Sequence, residues 1–263
     1  MQIYNRKNNR GLKMTRCIAL ILAGGVGNRM HLSVPKQFTE VDGLSVLQYT
    51  MSAFQRHKLI DAIYVVAAPK WHEVVREQAL TAGIAKFCGV ATAGATSMGS
   101  LMNGIGHISE CEDKETVVLV HDAVRPLLPE ETISSNIAVC LSRGNAITAI
   151  ESQESFMVMD RQEKDRETDY IRTAHDYILR ESVLKAQTPH TFRLKELQAM
   201  RQEAIERGVD DAQSLFVLAC RLGHTPLFAA QGSSLNFKLT HPTDIDLFRA
   251  VVHELRTEDC EGL

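Results

Sequence analysis

Two cations follow a glycine-rich turn near the N terminus. In LILAGGVGNRMHLSVPKQF, residues 20–38, GGVG at 24–27 is followed by Arg29 and then by Lys36. Glycines let backbone N–H groups approach phosphate oxygens with no Cβ in the way. A guanidinium fork and an ammonium point charge both suit a polyphosphate. Two familiar phosphate loops do not fit: G-x-G-x-x-G needs glycine where Met30 stands, and G-x-x-x-x-G-K-[ST] is absent. The plain alternative is a tight turn whose cations are surface charges.

The elements around this turn alternate. Residues 17–22 (CIALIL) form a continuous apolar run of strand length, as for a strand buried on both faces. A helical rhythm follows at 45–57, a β-branched strand at 61–68, and a helix at 71–82 closed by Gly83. Residues 116–120 form another buried strand leading straight into HDAVRP at 121–126, then a helix at 130–143 and a strand at 146–150. This alternation predicts an α/β fold with a doubly wound, mostly parallel sheet. In such sheets ligands sit beyond the carboxyl ends of the strands, where the glycine turn and HDAVRP both fall. Residues 152–179 break the pattern: a charged centre with apolar flanks, FMVM and YIL, predicts a projecting β-arm. Helices resume at 194–207, 212–222 and 243–255, the last after Pro242.

Composition narrows the class. A net charge of −3 gives no general reason to expect a nucleic-acid partner, so any polyanion site is local. The six cysteines are scattered with no C-x-x-C pair, and the ten histidines show no ligand spacing; reduced thiols and no protein-built zinc site are expected. Residues 1–13 are polar and basic, read as a disordered leader or an upstream start, with 14–263 a single domain. The apolar stretch at 17–23 is too short to span a bilayer, which predicts a cytoplasmic protein with no membrane partner.

Four motifs in order, LAGGVGNRM…PKQF, VHDAVRP, QTPHTF and NFKLTHPTD, resemble the methylerythritol phosphate cytidylyltransferases and the related ribitol-5-phosphate cytidylyltransferases over residues 16–252. The resemblance implies a Rossmann-like nucleotidyltransferase that joins CTP, carried with Mg²⁺, to a polyol phosphate and releases pyrophosphate. Methylerythritol 4-phosphate is the commonest acceptor and ribitol 5-phosphate its close rival. By the same resemblance Ala23, Gly24, Gly25 and Gly27 hold the nucleotide, and Arg29, Lys36 and Lys238 face the transferred phosphorus and departing pyrophosphate. Asp122 meets substrate hydroxyls or the metal-bound nucleotide, and Arg125 either shares that work or braces the loop. Arg180 and Thr188 match residues that bind the polyol phosphate, and Ser155 stands where an arm residue reaches a partner's site, implying a homodimer through the arm.

The sequence departs from the family pattern at three places. In the expected cytosine-reading loop at 93–105, Gly94, Ser100 and Gly104 fit, but Ser97 replaces an arginine. Val209 and Ser155 each stand where threonine is usual. Two alternatives follow: a sugar-1-phosphate nucleotidylyltransferase, which leaves QTP at 187–189 and Lys238 unexplained, or a non-catalytic nucleotide-binding paralogue, supported by Ser97 alone.

Overall fold

The apolar run Cys17–Leu22 is strand β1, and it lies inside a seven-stranded sheet in a computed structural model that describes residues 15–25, 34–159 and 174–261. A strand with neighbours on both sides and helices on both faces can be apolar at every position. Ile18, Ala19, Leu20 and Ile21 are accordingly without solvent exposure.

A two-residue pair, β2 (Glu40–Val41) and β3 (Leu44–Ser45), leads into helix α1 (Val46–Arg56). Ser45 caps α1 reciprocally: its hydroxyl accepts from the Gln48 N–H while the Gln48 side chain accepts from the Ser45 N–H. The chain then alternates through β4 (Ala62–Ala67), α2 (His72–Thr81), β5 (Phe87–Thr92), α3 (Ser97–Cys111), β6 (Val117–Asp122), α4 (Glu130–Arg143) and β7 (Asn145–Glu151). After a hairpin, β8 (Phe156–Met159) and β9 (Ala174–Ile178), come β10 (Leu184–Arg193), α5 (Leu194–Glu206), α6 (Leu215–Leu222), β11 (Ala229–Gln231) and α7 (Pro242–Glu261).

Across the sheet the order is β11-β7-β10-β6-β1-β4-β5, with β10 antiparallel to both neighbours and the remaining pairs parallel. Alternate residues of β1 enter two different cores. Ala19 and Ile21 pack with Leu47, Met51, Val75 and Ile133 from α1, α2 and α4. Ile18 and Leu20 pack with Leu101, Ile105, Leu197 and Leu218 from α3, α5 and α6. The sheet is therefore doubly wound, as the alternation predicts.

Segment 93–105 differs from the expected loop, because α3 begins at Ser97. Thr96 caps it, its hydroxyl accepting from the Gly99 N–H at 2.9 Å. Glycines lower the intrinsic propensity of this stretch, but burial of Met98, Leu101, Ile105 and Ile108 on one face decides for helix. The β8–β9 hairpin stands apart from the main sheet as its own two-stranded unit, at the place of the expected arm. The expected leader at 1–13 and the arm's centre at 160–173 lie outside the described residues.

Candidate active site

Leu22 at the end of β1 is paired in register with Asp122 at the end of β6, so both strands empty at the same sheet edge. Beyond Leu22, the Ala23 N–H bonds the Val66 carbonyl of β4 at 2.8 Å. The next residue must be glycine, since a Cβ on Gly24 would lie 2.8 Å from that of Ala93 and 2.9 Å from the Ser100 hydroxyl. Gly94 is under the same constraint, because its Cβ would sit 2.5 Å from the Gly99 carbonyl carbon. Ser100 ties this corner, accepting from the Gly94 N–H at 3.1 Å and donating to the Thr96 carbonyl at 2.9 Å. Ala23, Gly24, Gly94 and Ser100, expected at the nucleotide, thus form one packed corner against the first turn of α3. Gly27 and Arg29 lie outside the described residues.

Gln37 received no role from the sequence, yet it fixes the turn. Its side chain is 2% exposed, and its amide donates to the Ala23 carbonyl at 2.7 Å and the Gly25 carbonyl at 2.8 Å. The signal available was its place in PKQ at 35–37, next to Lys36.

The lysines come from opposite ends of the chain to one segment. Lys36 opens a short 3₁₀ turn, Lys36–Phe38, and its Nζ donates to the Leu239 carbonyl at 2.8 Å. Lys238 meets Asp122 Oδ2 at 3.0 Å, and Arg125 Nε meets the same oxygen at 3.2 Å. Arg125 Nη1 also donates to the Asn236 carbonyl at 2.7 Å, and the Leu239 N–H bonds the Val124 carbonyl at 2.9 Å. Arg125 therefore braces the loop that presents Lys238, the second of its two expected roles, and it also lines the cavity described below. Burial alone would raise the Asp122 carboxyl, but the charges of Lys238 and then Arg125 outweigh it and hold the group well below the usual carboxylate range.

Thr188 on β10 faces the same edge. Its Oγ1 accepts from the Asp122 N–H at 3.1 Å and lies 3.1 Å from His121 Nδ1, while His121 Nε2 lies 3.1 Å from the Arg125 carbonyl. Asn236 donates to the Thr188 carbonyl at 2.7 Å, joining β10 to the Lys238 loop. Burial lowers both His121 and His190 to about 4, so both imidazoles are neutral near pH 7.

His121, Asp122, Arg125, Thr188, His190 and Lys238 border a cavity of about 200 Å³ whose lining also includes Ser97 and Gln213. Lys36, Gly24, Gly25, Gly94 and Ser100 are not among its lining residues. Ser97 is exposed and lines the cavity, so the residue replacing the family arginine does border the site. Val209 instead packs against the core between α5 and α6. Arg180 and Ser155 are exposed on and beside the arm, and neither is among the residues lining this cavity. The described residues contain no group of three His, Cys, Asp or Glu side chains able to hold a metal, and no helix long and apolar enough to cross a membrane. Asp122 is the one acidic residue in the described lining, ionised and turned to the cavity, and it fits a divalent cation as a single oxygen donor.

Comparison with known proteins adds independent findings. A family model described as 2-C-methyl-D-erythritol 4-phosphate cytidylyltransferase matches residues 17–254. A ribitol-5-phosphate cytidylyltransferase of Lacticaseibacillus paracasei is 33% identical over 238 residues, covering 90% of this chain and 97% of that protein. One from Vibrio parahaemolyticus is 35% identical over 236 residues, covering 89% and 95%. A 2-C-methyl-D-erythritol 4-phosphate cytidylyltransferase of Geobacter metallireducens is 32% identical over 240 residues, covering 90% and 97%. Among solved structures, 4-diphosphocytidyl-2C-methyl-D-erythritol synthase from Anaerococcus prevotii shares the fold with a TM-score of 0.74 at 23% identity, covering 91% of this chain and 96% of that one.

Proposed function

The chain belongs to the 2-C-methyl-D-erythritol 4-phosphate cytidylyltransferase family, a family of nucleotidyltransferases, and we propose that it joins CTP to ribitol 5-phosphate, giving CDP-ribitol and pyrophosphate. The observation that carries this reading is that Lys36 and Lys238, from opposite ends of the chain, are held at one segment. Lys36 is held on the Leu239 carbonyl and Lys238 on Asp122, which ends β6 in register with the end of β1. In an in-line transfer, an oxygen of the acceptor phosphate forms a bond to the α-phosphorus while the α–β anhydride bond breaks and pyrophosphate leaves. Two anions meet and charge grows around phosphorus, so fixed cations and positioning supply most of the catalysis.

In this assignment Ala23, Gly24, Gly25 and Gly94, with Ser100 shaping the corner, receive the nucleotide, and Lys36 and Lys238 meet the phosphates. Gly27 and Arg29 complete that set from the segment outside the described residues. Asp122 and Thr188 face the acceptor, with Asp122 also available to the cation. A divalent cation bound with CTP supplies neutralisation of the triphosphate. The acceptor follows the relatives named above, of which the two more identical carry the ribitol name. Methylerythritol phosphate is the second reading, favoured by the family model.

The test is pyrophosphate release with Mg²⁺, each of CTP, UTP, GTP and ATP, and a panel holding ribitol 5-phosphate, methylerythritol 4-phosphate and a sugar 1-phosphate. Turnover with CTP and ribitol 5-phosphate is expected. Turnover confined to a sugar 1-phosphate, or tight CTP binding with no turnover, overturns it.

The arm is assigned to a second copy of the chain. Met157, Tyr177, Leu179 and Leu184 are 75%, 69%, 59% and 52% exposed, an apolar surface gathered on and beside the hairpin. An isolated two-stranded hairpin is marginal in water, and clustered exposed apolar groups mark an interface. Pairing arms would cover this surface and carry Ser155 and Arg180 toward the partner's cavity. Met157→Glu combined with Tyr177→Lys is expected to convert a dimer to monomers in sedimentation velocity and to lower turnover with it. A wild-type protein that sediments as a monomer at assay concentration removes the assignment.

A further inference from the structure

His121 lies at the floor of the cavity, and the function just proposed leaves it without a task. Its ring is fully buried and meets the Phe54 ring edge-on, with centroids 5.3 Å apart. One nitrogen, Nε2, lies 3.1 Å from the Arg125 carbonyl. A carbonyl oxygen can only accept, so Nε2 carries the ring proton. The neutral ring then has a bare lone pair at Nδ1, which lies 3.1 Å from Thr188 Oγ1. Between these two atoms the hydroxyl alone has a proton to give, so Thr188 donates to His121.

The other side of the hydroxyl is also occupied, since the Asp122 N–H donates to Thr188 Oγ1 at 3.1 Å. A hydroxyl has one proton and two lone pairs. The proton and one lone pair are used, and what remains for the cavity is a single lone pair. The Thr188 backbone is held as well, its carbonyl accepting from Asn236 at 2.7 Å. A lone pair facing a phosphate oxygen is repulsive; facing an alcohol O–H it is a hydrogen bond.

We propose that His121 is a positioning residue that locks the Thr188 hydroxyl as a hydrogen-bond acceptor, so that Thr188 takes a hydroxyl of the polyol and not an oxygen of its phosphate. This refines the expected role of Thr188 in binding the polyol phosphate, and it rests on the function proposed above. A site so polarised favours acceptors with a free hydroxyl at this point and disfavours analogues with an ether or fluorine there.

Kinetics with whichever polyol phosphate the wild type turns over would test it. Thr188→Val is expected to raise the KM for the polyol phosphate about tenfold, with the KM for CTP within twofold, a change of about 1.4 kcal/mol. Thr188→Ser, which keeps the hydroxyl, should recover most of the loss seen with Thr188→Val. His121→Phe should raise the same KM similarly, and His121→Asn, which can place an acceptor oxygen near the position of Nδ1, should recover most of the loss. The double variant Thr188→Val with His121→Phe should be no worse than Thr188→Val alone, because His121 acts through the hydroxyl. Multiplying effects, or an equal rise in the KM for CTP, overturns the proposal.

Should His121→Phe fail to fold, inorganic phosphate supplies a separate readout. As an inhibitor competing with the polyol phosphate it should be equally potent against wild type and Thr188→Val. A tenfold weaker inhibition of Thr188→Val overturns the proposal. A wild type inactive on every acceptor strikes the function reading itself, whereas an active wild type with multiplying effects strikes only this inference.

Discussion

Replacing either Lys36 or Lys238 with alanine is expected to lower kcat/KM by about two to three powers of ten and to leave the protein folded. Removing one preorganised donor from a site where charge develops costs roughly 10²–10³ in rate, about 3–4 kcal/mol of transition-state stabilisation. Each ammonium is oriented before substrate arrives, Lys36 by the Leu239 carbonyl and Lys238 by Asp122. The stability effect is far smaller. Lys238 is 42% exposed, and an ion pair this open contributes on the order of 1 kcal/mol or less. Lys36→Ala should lower the Tm more than Lys238→Ala. It releases the carbonyl of Leu239, which is itself packed in a small core with Val41, Val124 and Phe248. Pyrophosphate release and thermal unfolding on the same preparations separate the two effects. Rates within threefold of wild type in both variants remove the assigned roles.

What the residues disclosed unaided follows from how each element is stabilised. β1, β4 and β6 were legible because interior parallel strands are buried on both faces and read as continuous apolar runs. β10 was not, although it lies inside the sheet. Its QTPHTF segment fills buried positions with Gln187, His190 and Thr191, and the side chains of Gln187 and Thr191 are satisfied by partners distant in sequence, Ser233 and Asn136. Such a strand has no apolar signature and is recognised only as a motif. α3 was hidden for another reason: Gly99, Gly104 and Gly106 argue against a helix locally, and only burial against the sheet overrides them.

The site shows the same division. Lys36, Asp122, Thr188 and Lys238 were found through motif order, and the fold brings them to one edge. Gln37 and His121 stood in the same motifs without a role, because a role as brace exists only in distances. Gln37 spans two carbonyls of the glycine turn, and His121 touches both Thr188 and the Arg125 carbonyl.

Asp122→Asn is expected to reduce kcat/KM by at least a hundredfold and to destabilise the fold more than Lys238→Ala does. The carboxylate neutralises two cations, Lys238 at 3.0 Å and Arg125 at 3.2 Å. With asparagine there, two positive groups face each other without a counter-charge. Losing one member of a fully buried pair costs about 3–5 kcal/mol, but Asp122 is 21% and Lys238 42% exposed, so about 1–2 kcal/mol is expected. The sign of the pH dependence follows from the depressed carboxyl. Its ionised form adds stability above the ordinary aspartate value, roughly 3.9, and that contribution is lost as pH falls below it toward the folded-state value. Urea unfolding should therefore show a wild-type advantage at pH 7 that narrows below pH 4. Adding Lys238→Ala to Asp122→Asn removes one uncompensated cation and should return part of the stability, while turnover stays at its floor. Recovery of both together would mean that Lys238 serves only to answer Asp122, and the catalytic part assigned to the lysine would be lost.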